Sequence, residues 1–161
     1  MKQLEKNLDL VLETNLCLLL ESNEAKKIII TPLSKEVNFT EVEVRTKFDK
    51  DIIGDLGNEN FEKIIVKHFT WNNKKPVASI WITSLISLIL KMKEADCISY
   101  IEIDKIDMIE RGVTIVFKNE ENVFAYYDDI DNEDELENSI DTARDVINLI
   151  KNNYYKRPEI K

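Results

Sequence analysis

With 161 residues, 43% of them apolar and 33% charged, the chain has the size and composition of one folded domain spanning 1–161, not of a disordered or fibrous protein. Three glycines and three prolines leave little material for phosphate-cradling loops, and a net charge of −9 argues against direct nucleic-acid binding, which needs clustered Lys and Arg. The charge is unevenly placed: residues 94 to 137 hold fifteen acidic and three basic side chains, whereas the other 117 residues hold 16 acidic and 19 basic.

Residues 3 to 22 set Leu4, Leu8, Val11, Leu12, Leu16, Leu19 and Leu20 on one helical face. Leu8, Leu10, Leu12 and Leu16, Leu18, Leu20 also alternate, so a hairpin turning at Thr14-Asn15 competes; the poverty in β-branched residues favours the helix. Lys2, Glu5, Lys6 and Asp9 place charge in the first nine positions, where a secretory signal would need an apolar run. Cys17 and Cys97 are far apart in sequence and read as buried thiols. A cytoplasmic protein is expected.

Lys27 to Thr31 reads as a strand stopped by Pro32, and residues 37 to 48 alternate as a second strand with a phase change near Thr40. Asp49 to Asn60, with Gly54 and Gly57, reads as a loop. Phe61 to Trp71 is expected to be a helix capped by Asn58, with Phe61, Ile64, Ile65, His68 and Phe69 on one face. His68 is the only histidine, which excludes any two-histidine metal site.

From Pro76 to Leu90 there is no charge, and the spacing predicts a central buried helix over about 76–93, forming a helical hairpin with its predecessor. Lys74, Lys75 and Lys91 bracket only fifteen residues, too few for the roughly 20 that a membrane span needs. Ser79, Thr83, Ser87 and Lys91 recur every four residues as a narrow polar stripe, expected to be the helix's solvent-facing or backbone-bonded edge, or else a partner groove.

Ile98 to Ile109 reads as a strand with a slip at Asp104-Lys105. A turn at Arg111-Gly112 leads to Val113 to Phe117, and Asn119 to Asn122 turns the chain again into Val123 to Tyr127. Val113, Ile115 and Phe117, with Val123, Ala125 and Tyr127, make an apolar face. Leu136, Ile140, Ala143, Ile147, Ile150 and Tyr154 predict a C-terminal amphipathic helix over about 133–155, acidic at its start and basic at its end. The fold expected is α+β, an antiparallel sheet of two-strand and three-strand segments covered by helices.

No catalytic arrangement is nominated: Ser84 and Ser87 have no base at recognisable spacing. Asp129, Asp131 and Glu133 have the first, third and fifth spacing of a calcium loop, but Asp134 and Ile140 stand where a glycine and a bidentate carboxylate belong, so an EF-hand is excluded. No cofactor is expected. The first functional expectation is a non-catalytic intracellular protein whose acidic surface engages a basic protein, as an inhibitor or immunity-type partner would. Its contact residues would be Glu102, Asp104, Asp107, Glu120, Glu121, Asp128, Asp129 and Asp131. The alternatives are a metal-dependent enzyme using carboxylates of the 98–135 region, and a structural subunit that buries part of the Ser79, Thr83 and Ser87 stripe in an oligomer.

Overall fold

The computed structural model of the chain describes residues 2–22, 24–32, 40–48, 51–68, 77–105, 110–118, 122–129 and 135–155, with side-chain surroundings for 10–22, 24–32, 40–48, 51–67, 83–104, 112–118 and 144–155. The leucine-rich start is a helix, α1 (Lys2–Glu21), and not a hairpin. Leu16, Leu19 and Leu20 are fully buried, and burial of each such side chain contributes about 1.5–3 kcal/mol. Ser22 turns the chain out of the helix: its hydroxyl oxygen accepts the Glu24 amide at 3.1 Å and its hydrogen is donated to the Glu24 carboxylate at 3.2 Å.

Two strands follow, β1 (Ala25–Pro32) and β2 (Thr40–Thr46), paired antiparallel as expected. The stretch expected to be a loop holds a third strand, β3 (Asp51–Asp55), antiparallel to β2 with Ile52 opposite Val44 and Gly54 opposite Val42. Gly54 is misleading as a loop signal. It sits within the strand because the ring of Phe61 packs against its backbone, and any Cβ there would overlap that ring.

Asn58 caps α2 (Glu59–His68), its side-chain oxygen accepting the Asn60 amide at 2.8 Å. Phe61 and Ile65 are buried, while Ile64 is exposed. The uncharged stretch forms α3 (Val77–Lys91), followed by a short 3₁₀ helix at Lys93–Cys97. Leu85, Ile86 and Ile89 are buried, but Leu88, expected inside, is 49% exposed, beside exposed Ser84 and Lys91. Both α2 and α3 pack on α1, so α1 and not α3 is the element the helical layer is organised around.

The remaining strands are β4 (Ile98–Lys105), β5 (Glu110–Phe117) and β6 (Asn122–Asp129), and the chain closes with α4 (Glu135–Tyr155). Arg111 and Gly112, expected in a turn, lie inside β5, opposite Lys105 and Asp104. The β4–β5 ladder runs unbroken through Asp104 and Lys105; its irregularity falls at Ile98 and Tyr100, not at the expected slip. Register sets Phe124 and Tyr126, not the expected alternate set, opposite the buried Ile115 and Val113.

Among the described residues the six strands form one antiparallel sheet in the order β3-β2-β1-β4-β5-β6. The expected two-strand and three-strand segments are therefore two three-strand meanders, joined by β1 against β4 with Ile28 opposite Ile103 and Ile30 opposite Ile101. One face is apolar and buried: Ile28, Ile30, Val42, Val44, Ile101, Ile103, Val113 and Ile115 pack with the buried leucines of α1 and with Val146 and Ile150 of α4. Residues at the alternate positions are half-buried or exposed, which is the pattern of a sheet covered on one side.

Candidate protein-binding face

Pairing register places the alternate side chains of neighbouring strands in rows across the uncovered face. One row runs Ile53, Glu43, Ile29, Glu102, Thr114; the next runs Asp51, Arg45, Lys27, Asp104, Gly112. Glu41 and Asp55 stand opposite each other in a third. Among the residues whose side-chain surroundings are described, this face carries six carboxylates and two cations.

Lys27 lies between two of the carboxylates, with Nζ 3.7 Å from Glu102 Oε2 and 3.6 Å from Asp104 Oδ1. Arg45 Nε donates to Glu43 Oε2 at 3.3 Å on the same strand. All the pairing partners keep a substantial part of their side chains in solvent, so each pair contributes at most about 1 kcal/mol. The cations hold the acids in place without neutralising the face. Asp55 also shapes the backbone, since its Oδ1 accepts the amides of Gly57 at 3.0 Å and Thr40 at 3.3 Å and so closes the turn after β3.

Of the residues expected to bind a partner, Glu102 and Asp104 stand side by side on this face. Asp128 and Asp129 lie on β6, opposite Arg111 and Glu110 in register. Asp107, Glu120, Glu121 and Asp131 lie outside the described residues. Two acids of the same sequence window are used elsewhere. Glu94 accepts a hydrogen bond from the Tyr155 hydroxyl at 3.1 Å, and Asp96 pairs with Lys118 at 3.7 Å. In their place the face gains Glu41, Glu43, Asp51 and Asp55 from the first meander. A charge count along the sequence misses these four, although the alternation of Glu41 and Glu43 with Val42 and Val44 already signals acids on the solvent side of a strand.

Of the polar stripe of α3, Thr83 and Ser87 are not at the solvent edge, Lys91 is exposed, and the Ser79 side chain lies outside the described surroundings. Thr83 and Ser87 are buried against α1, where the Ser87 hydroxyl donates to Glu13 Oε1 at 3.0 Å and Lys91 Nζ stands 3.9 Å from the same oxygen. Both hydroxyls are therefore covered within the chain. Cys17, on the same row of α1, has its thiol pushed up to about 12 by burial first and then by its bond to Glu21. At neutral pH it is a protonated thiol and a poor nucleophile. Cys97 is buried and its thiol points to the Ile150 carbonyl oxygen at 3.7 Å.

Among the described residues no three His, Cys, Asp or Glu side chains are grouped to hold a metal ion, and no helix is long and apolar enough to cross a membrane. The features define an α+β protein whose six-stranded antiparallel sheet has helices on one side and, on the other, an acidic surface that no described element covers. No family model, curated protein or solved structure matches the chain.

Proposed function

We propose that the chain is a non-catalytic cytoplasmic binding protein whose uncovered sheet face engages a basic protein, of the kind that an inhibitor or immunity-type protein restrains. The observation that supports this is the excess of six carboxylates over two cations on a face that no described element covers. Anions gathered on one surface raise the local field, speed encounter with a cationic partner and oppose like-charged competitors. A partner that itself binds nucleic acid would carry the required positive surface. Cys17 and Cys97, neither of them in a disulfide, suit a reducing compartment.

The test is charge reversal at Glu43, Glu102 and Asp104, with Asp107, Glu120 and Glu121 reversed in a second variant. Affinity capture from the native host should lose its basic partner in the first variant. The wild-type association rate should fall as salt is added. A partner retained undiminished by both variants overturns the proposal.

A further inference from the structure

We infer that the outer edge of β3 receives an extended basic segment of the partner as an added strand. This rests on the acidic-face reading and names how the partner would be held. β3 is last in the strand order, and among the described residues no strand pairs with its far side. An edge strand offers backbone N–H and C=O groups to any extended chain laid beside it.

The edge also carries exposed apolar surface. Two of the seven large apolar side chains that are exposed among the described residues are Ile53, in β3, and Phe48, just after β2. Ile53 is 62% exposed and Phe48 69%. Phe48 already accepts a cation, with Lys47 Nζ 5.4 Å from its ring centre.

The side chains of β3 specify what chemistry fits. Asp51 and Asp55 flank Ile53 at alternate positions on the uncovered side. A segment reading cation, apolar residue, cation at its own alternate positions would set opposite charges across from both aspartates and an apolar group against Ile53. Each such cross-strand pair is favourable by several tenths of a kcal/mol. A second copy of the chain fits worse. Antiparallel self-pairing centred on Ile53 would put Asp51 of each copy against Asp55 of the other, two like-charge contacts directly opposed.

The probe is a fluorescent peptide containing Lys-Thr-Ile-Thr-Lys, followed by anisotropy and by amide hydrogen exchange of the full chain. Binding should slow exchange in residues 51–55. N-methylation of alternate peptide amides, which keeps the charge but removes the strand bonds, should weaken binding at least about tenfold. The variant Asp51→Lys/Ile53→Lys should do the same for the peptide and for the captured partner, with an unchanged circular dichroism spectrum because both side chains are exposed. If the methylated peptide binds as well as its parent, or if protection falls on 98–105 and not on 51–55, the edge proposal is overturned while the acidic face stands. Partner capture that depends on Glu102 and Asp104 but ignores Asp51→Lys/Ile53→Lys likewise overturns the edge and spares the face. A dimer in solution that Ile53→Lys dissolves would assign the edge to a second copy and overturn the proposal as well.

Discussion

Ser87 donates its hydroxyl hydrogen to Glu13 across 3.0 Å, so the most apolar helix of the protein meets its neighbour along a polar seam. Glu13 and Cys17 on α1 run antiparallel to Ser87 and Thr83 on α3, each pair one helical turn from the next. The seam is imperfectly satisfied. The buried Thr83 hydroxyl stands near the Cys17 thiol but makes no hydrogen bond of good geometry among the described residues. Thr83→Val keeps the shape and removes the orphaned group, and should raise stability by about 1 kcal/mol. Ser87→Ala should lower it by about 0.5–1 kcal/mol. Denaturant titration of both variants checks the pair of signs.

Gly54 and Phe61 form a second close relationship, with the ring seated on the bare backbone of β3. Gly54→Ala forces the ring aside in a packed core and should cost about 1–3 kcal/mol. Adding Phe61→Leu to that variant should recover part of the loss, because the smaller side chain leaves room for the methyl group. A double-mutant cycle from thermal unfolding measures the recovery.

Glu94 ties the start of β4 to the end of α4. Its carboxyl is held below the usual carboxylate range, chiefly by a backbone amide of the 3₁₀ helix and then by the Tyr155 hydroxyl and the charges of Lys93 and Lys151. A carboxylate whose folded value is depressed stabilises the fold above its ordinary value of 4.5 and ceases to do so as pH falls through the folded value. Stability should therefore decline below about pH 4.5 more steeply in the wild type than in Glu94→Gln. Tyr155→Phe should lie between the two. Chemical denaturation at a series of acidic pH values gives the comparison.

Cys17 predicts the opposite behaviour at the alkaline end. Its thiol titrates at about 12 in the folded chain against an ordinary value of 9.0, so the unfolded state loses the proton first. The contribution of Cys17 to stability should be constant below pH 9.0 and should fall as pH climbs from there towards 12, a loss that Cys17→Ala should abolish. At about pH 8 native Cys17 should react with iodoacetamide at least about tenfold more slowly than free glutathione. Mass spectrometry of the alkylated protein reads both thiols.

Elements with strong local signals were legible in the sequence: α1 from its leucines, α4 from its regular apolar spacing, and the paired strands from their alternation. What was not legible depended on groups distant in sequence. Gly54 resembles loop material until Phe61 is placed beneath it. The Thr83 and Ser87 stripe reads as a wet edge because α3 is apolar around most of its circumference, and only Glu13 shows which side the hydroxyls face. The candidate site was half visible for the same reason. Glu102 and Asp104 belong to the acidic window, but Glu43 joins them through the strand register across Ile29, which no local pattern contains.

The pairing of β1 with β4 also bears on how the chain is made. Ile28 and Ile30 leave the ribosome some seventy residues before Ile103 and Ile101, the partners that complete their side of the ladder. Throughout that interval of translation the nascent first meander presents an unfinished, isoleucine-rich flank, the kind of surface on which chaperones act and stalled chains clump. Synthesis slowed between residues 60 and 98 should therefore lower the soluble yield more than an equal delay after residue 105.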